Sequence, residues 1–125
     1  MKDLVIYGAG GFAREVLQVT EDINSHTPVW NVRGFVDDNR DIVGRTVHGY
    51  PVLGGIEWIS KNPRTHVVLG IGSSSARFQL LYRVRRHCQN SFATLIHPDV
   101  QIGDSVSIGE GSIVCAGTII TKKNV

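Results

Sequence analysis

From Ile96 onward every sixth residue is aliphatic: Ile96, Ile102, Ile108, Val114 and Ile120. Ile, Leu and Val make up 35 of the 125 residues, so five of them in strict step is not the outcome of chance placement. Gly103 and Gly109 directly follow the aliphatic position, and Gly111, Ala116 and Gly117 keep other positions small. A fixed short period marks a solenoid, in which each repeat buries its face only against its neighbours. Aliphatic residues at one position stack inside, and small residues sit where the chain must turn. Cys115 falls at an internal position of this repeat and reads as a small packing residue.

The preceding residues follow another rhythm. Residues 3–8, DLVIYG, are a short apolar run ending at glycine, the pattern of a buried strand. Residues 11–23 carry Phe12, Val16, Leu17, Val19 and Ile23 at helical spacing. Residues 31–37 read as a second strand and 38–49 as a turn-rich segment broken by Gly44 and Gly49. Pro51 to Gly55 reads as a loop leading into a short helix over 55–61. Asn62-Pro63 ends that helix, because proline disfavours the helical region for the residue before it. Residues 66–71 form another buried strand, 74–88 an amphipathic helix, and 92–96 a last strand. Strands alternating with helices imply βαβ units and a parallel sheet. The expected architecture is α/β: a small Rossmann-like domain of about four strands over residues 1–94, with the repeat occupying 95–125.

Gly8-Ala9-Gly10-Gly11-Phe12-Ala13 fits G-x-G-x-x-A between a predicted strand and a predicted helix, the context that gives the pattern meaning. Gly8 permits the tight turn, Gly10 removes the Cβ that would block a phosphate, and Ala13 lets helix and strand approach. The helix N-terminus then offers unpaired N–H groups to an anion. A tight βα turn without ligand would use the same glycines. The second strand ends at Asp37 and Asp38, where a carboxylate suits a ribose hydroxyl and equally suits a turn. The third ends in Gly70-Ile71-Gly72-Ser73, where Gly72 and Ser73 suit a ligand and serine also suits a helix N-cap. Open α/β sheets bind ligands outside the carboxyl ends of their strands, so three such ends point to a nucleotide or nucleotide-linked metabolite.

With 42% hydrophobic residues and a net charge of +2, the chain supports a real core. It carries no basic block that reads as a nucleic-acid surface. The densest cluster, Arg83, Arg85 and Arg86, reads as a solvated helix face. No apolar run approaches the ~20 residues of a membrane span. Met1-Lys2-Asp3 with four apolar residues and then Gly8 is not a signal peptide. Cys88 and Cys115 have no metal-ligand spacing, and the natural reading is a cytoplasmic protein with two free thiols.

The segments YGAGGFAREV, GFVDDN, HGYPVLGG, VVLGIGSSSAR and TLIHPDVQIGDSVSIGEG, in that order, resemble the sugar O-/N-acyltransferase family of sialic acid O-acetyltransferases and nucleotide-sugar N-acetyltransferases. The hexads resemble that family's left-handed parallel β-helix, in which three hexads make one triangular coil. The resemblance implies acetyl transfer from acetyl-CoA to a hydroxyl or amino group of a sugar or nucleotide sugar, a role in polysaccharide biosynthesis, no metal, and a homotrimer with acetyl-CoA between subunits. Carried over by position, Gly8, Gly10 and Gly11 would face the substrate's phosphates. Asp37 or Asp38 would meet ribose or base, and Gly72 and Ser73 would line the same pocket. Phe12 departs from the family, where many members carry histidine on that phosphate-side turn.

The five hexads amount to less than two coils. The resemblance implies a general-base histidine beyond Val125, so the expectation is a chain inactive alone, with its last hexads poorly ordered or paired with another chain. His97 reads as structural, since His-Pro marks the approach to the first coil. His26, His48, His66 and His87 have no partner motif. Two other readings stand beside the acyltransferase: an NAD-binding Rossmann module, against which the hexads argue, and a non-catalytic nucleotide-binding or assembly protein.

Overall fold

The computed structural model describes residues 1–102, 108, 111, 113–114 and 119–120. Strand β1 (Lys2–Tyr7) leads into helix α1 (Gly11–His26), which returns to β2 (Trp30–Val36). A 3-10 turn at Arg40–Ile42 precedes the hairpin of β3 (Thr46–Val47) and β4 (Tyr50–Gly54). Helix α2 (Ile56–Lys61), β5 (His66–Leu69) and α3 (Ser74–His87) follow. The sheet order is β3-β4-β2-β1-β5, parallel except for the antiparallel β3–β4 pair.

β1 lies between β2 and β5 and is buried on both faces, which its unbroken apolar run requires. Side chains alternate along it. Leu4 and Ile6 pack with Ala13, Val16 and Leu17 of α1. Val5 and Tyr7 pack with Ile59 of α2 and with Leu80 and Val84 of α3. The sheet therefore carries one helix on one face and two on the other. Asn24 closes the α1–β2 connection: its Oδ1 accepts the N–H groups of Val29 and Trp30, and its Nδ2 donates to the Trp30 carbonyl.

Two expectations are corrected. Residues 50–54 are strand β4, not a loop, so the sheet has five strands. Pro51, Gly54 and Gly55 read as loop punctuation, but pairing with β2 outweighs local preference. His48 and Gly49 both take positive φ, as a two-residue hairpin turn requires. Residues 92–96 do not form one strand. Phe92 makes a single parallel bridge to Val67, while β6 (Leu95–Ile96) turns away to pair with β8 (Ile113–Val114). On α3, Leu80 and Val84 are buried, whereas Phe78 and Tyr82 are exposed.

β7 (Gln101–Ile102) pairs in parallel with β9 (Ile119–Ile120). The registers are Leu95 with Ile113 and Gln101 with Ile119, eighteen positions in both cases. Packing of Cys115, the glycine positions 103, 109 and 117, and Ala116, and the order of the last hexads, lie outside the described residues. Buried His97 joins this region to α1: Nε2–H donates to Asp22 (2.9 Å) while Nδ1 accepts the Asp99 N–H (3.1 Å). That hydrogen bond from His97 is the main reason the Asp22 carboxyl lies below its usual range.

Gly34 is where the sheet tolerates least change. It has φ +145, sits at a shift in the β1–β2 register, and a Cβ there would lie 2.3 Å from the Pro51 carbonyl oxygen. Because neither backbone can retreat without breaking the β2–β4 pairing, Gly34→Ala is expected to cost about 2–4 kcal/mol. Urea unfolding measures it, and an unchanged midpoint would contradict this account of the register.

Candidate functional site

The chain leaves β1 toward β2 on one side and later returns as β5 on the other. The carboxyl ends of β1 and β5 are therefore neighbours at the point where the winding reverses, the place where open α/β sheets form ligand crevices. Both strands end in glycine-bearing turns, and the two turns touch. Gly70 N–H donates to the Tyr7 carbonyl (2.8 Å) and Gly8 N–H to the Val36 carbonyl (2.7 Å). Gly8 has φ +105, and a Cβ on it would come within 3.1 Å of the Gly70 oxygen and the Ile71 side chain. A Cβ on Gly70 would lie 2.7 Å from Ile6 and 3.2 Å from Ala13. Glycine at 8 and 70 thus allows β1, β5 and α1 to meet.

Gly10 and Gly11 differ in kind. A Cβ on either would meet nothing within 4 Å. Both are exposed, so the protein itself does not demand their smallness. Gly10 is the N-cap of α1 and provides no side-chain hydrogen bond, and the first turn of α1 holds no acidic residue. The leading N–H groups of α1 thus have no acceptor from a capping or acidic first-turn side chain. By contrast α3 is capped: Ser73 Oγ accepts the Ala76 N–H (3.4 Å) and contacts the Ser75 hydroxyl (3.2 Å). Phe12, half-buried, lies against Gly72, its ring 3.6 Å from where a Gly72 Cβ would stand. The structure therefore brings Gly8, Gly10, Gly11, Phe12, Gly72 and Ser73 to one mouth.

The two aspartates at the end of β2 are held differently. Asp37 accepts the Ala9 N–H at Oδ2 and the Asn39 N–H at Oδ1, both at 2.9 Å, tying the end of β2 to the glycine turn. Its oxygens keep further lone pairs for a hydroxyl. Asp38 Oδ1 accepts the Tyr7 hydroxyl (2.5 Å) and the Arg83 guanidinium (2.6 Å), and Arg83 also contacts the Tyr7 hydroxyl. Arg83 thus departs from the solvated face expected of the arginine cluster, and Arg85 lies over the Phe92 ring. Burial alone would raise the Asp38 carboxyl, but the hydrogen bonds from Arg83 and Tyr7 outweigh it and hold it below its usual range. Burial, then the bond to Asp38, raises the Tyr7 hydroxyl far above its ordinary value. A cavity of about 320 Å³ opens beside this triad, lined by Asp38, Ile71, Ala76, Gln79, Leu80 and Arg83.

Sequence reading missed Tyr7, Arg83 and His48. Nothing local marks Arg83, whose partner Asp38 is 45 positions away. The His48 ring reaches over the mouth, Nε2 lying 3.4 Å from the Gly10 carbonyl. His97 has both ring nitrogens engaged elsewhere. Among the described residues no three metal-ligating side chains come together, and no helix is long and apolar enough to cross a membrane.

The family described as PglD N-terminal domain matches residues 3–84. Among solved structures, the chain is similar to a mutant perosamine N-acetyltransferase from Caulobacter crescentus in complex with CoA and GDP-perosamine. Identity is 29% and the TM-score 0.80, covering 97% of this chain and 55% of that one. WeeI from Acinetobacter baumannii is 29% identical, with a TM-score of 0.76 and coverage of 95% and 55%. The acetyltransferase domain of PglB from Neisseria gonorrhoeae, in complex with acetyl coenzyme A, is 26% identical, with a TM-score of 0.74 and coverage of 94% and 55%. The chain spans a little over half the length of these relatives. Among curated protein sequences none matches significantly.

Since Asp38 titrates below the ordinary aspartate value of 3.8, its contribution to stability is present above that value and is lost as pH falls through the depressed one. Asp38→Asn should lower stability at pH 7 by under about 1 kcal/mol, the range for a largely exposed pair. The difference from wild type should close as pH falls through the depressed value. Urea midpoints across pH measure it, and a gap that persisted in acid would show that the asparagine acts through packing instead.

Proposed function

The chain belongs to the PglD N-terminal domain family, and from that footing we propose that it holds the nucleotide-sugar acceptor of an acetyltransferase whose donor is acetyl-CoA. The observation that carries this is the vacant space over Gly10 and Gly11 at the β1–β5 switch point, where uncapped helix N–H groups suit a diphosphate. Gly8 shapes the turn, and Phe12, Gly72 and Ser73 line its far side. The nucleobase occupies the cavity beside Asp38 and Arg83, and Asp37 accepts from a ribose hydroxyl. The acceptor atom is a sugar amine, as the names of the relatives suggest. Its nitrogen attacks the thioester carbonyl, an amide forms, and the amine proton leaves with the CoA thiol.

Residues 95–125 are proposed as the start of a left-handed parallel β-helix following a Rossmann-like unit over 1–94. Support comes from the paired strands: an eighteen-residue offset is three hexads, and it sets Ile96 beside Val114 and Ile102 beside Ile120. One repeat position thus stacks on itself once per coil. The complete enzyme is read as a homotrimer that holds acetyl-CoA along the β-helix.

Gly10→Val tests the site directly. With no protein atom within 4 Å of its Cβ, valine should cost at most about 1 kcal/mol, through a poorer N-cap. Calorimetric titration with GDP-sugars, UDP-sugars and NAD should show a nucleotide sugar bound by the wild type, with affinity at least roughly tenfold weaker in the variant, where the new methyls occupy the diphosphate's place. Binding of NAD alone would favour a dinucleotide module. Equal affinity in the two proteins would remove the glycine turn from the site.

A further inference from the structure

The peptide joining Gly10 to Gly11 opens α1: as N-cap, Gly10 gives its carbonyl to the first intrahelical bond, and neither residue has a side chain to hold the plane from outside the helix. In a trans peptide the C=O and N–H point in opposite directions. Whatever holds the Gly10 carbonyl on one side therefore aims the Gly11 N–H to the other. Glycine pairs lose more conformational freedom on ordering than any other residues, so an anion that uses this N–H gains if the plane is set beforehand.

His48 meets that carbonyl. It occupies the first central position of the β3–β4 turn with φ +50, the one non-glycine positive φ among the described residues. Histidine tolerates that region better than most side chains, but asparagine or glycine is the usual choice for such a turn, so hairpin geometry does not explain the ring. The ring packs edge-on against buried Phe35 (centroids 5.8 Å apart), which meets Tyr50 in the same way. Thus held, Nε2 lies 3.4 Å from the Gly10 oxygen, long for a hydrogen bond. A carbonyl can only accept, so the contact is a hydrogen bond in the form of the ring that carries a proton on Nε2. On the other flank Asp37 accepts the neighbouring Ala9 N–H. The turn is thus gripped at the Gly8–Ala9 peptide from the end of β2 and at the Gly10–Gly11 peptide from the β3–β4 hairpin.

We propose that His48 is a positioning residue: by holding the Gly10 carbonyl it orients the Gly11 N–H toward the diphosphate of the bound nucleotide sugar. This rests on the reading of the glycine turn as a diphosphate site, and it makes the hairpin part of that site.

The test compares wild type, His48→Gln, which keeps a side-chain N–H donor, His48→Phe, which keeps the ring on Phe35 but cannot donate, and Gly10→Val. Two readouts are taken: affinity for GDP and UDP by calorimetry, and the NMR order parameter of the Gly11 N–H in the ligand-free protein. His48→Phe should bind roughly five- to tenfold more weakly, the scale of one net hydrogen bond, and its Gly11 order parameter should fall. His48→Gln should stay within about twofold of wild type in affinity and keep the wild-type order parameter. Wild-type behaviour of His48→Phe, or equal loss in both His48 variants, would overturn the proposal. If wild type binds neither nucleotide, or binds it no better than Gly10→Val, the diphosphate reading fails. The order parameters then judge the grip alone, and an unchanged Gly11 value in His48→Phe overturns it.

Discussion

The close approach of two strand-end turns, Gly8 against Gly70, is the constraint on which the rest of this structure depends. The Gly70 N–H reaches the Tyr7 carbonyl only because no Cβ stands between the turns. The same absence lets Ala13 seat α1 against the sheet, with Leu4 and Ile6 beneath it. A side chain at either glycine would separate β1 from β5 and lift the start of α1. The crevice at the switch point and the direction of α1's first N–H groups both follow from that one contact.

A cleft suited to an anion has two carboxylates at its edge, and each is answered. Asp37 accepts two backbone N–H groups, which satisfy it and give the glycine turn a rigid neighbour. Asp38 is neutralised by Arg83 from α3, with the Tyr7 hydroxyl completing the shell. Tyr7 stands in the core of the α2/α3 face with its hydroxyl end at the site. The packing of that face and the charge balance of the cleft are therefore coupled through one residue. The hydrogen bonds from Arg83 and the Tyr7 hydroxyl outweigh the partial desolvation of Asp38 and keep it ionised.

Legibility in the sequence divides along a physical line. β1, α1 and the glycine turn were readable because a continuous apolar run, a 3.6-residue stripe and G-x-G-x-x-A are local patterns that report burial and turn geometry directly. β4 was not, because Pro51 and two glycines carry the composition of a loop, and only the β2 partner makes the segment a strand. The Arg83–Asp38 pair and the His48–Gly10 contact join positions 45 and 38 residues apart, and no spacing rule reaches that far. Phe78 and Tyr82 look like core residues on α3, yet the sheet takes Leu80 and Val84 instead.

What the sequence alone determined is the succession of βα units, the glycine turn that opens α1, and the hexad step from Ile96 onward, each set by residue chemistry within a few positions. Only the tertiary structure decided that the turns after β1 and β5 meet at one crevice, that Asp37 braces the glycine turn while Asp38 is claimed by Arg83 and Tyr7, and that a hairpin histidine reaches Gly10. The reason is that strand order and helix placement are chosen by burial summed over the whole sheet. Partners distant in the chain are fixed by that sum and leave no local trace.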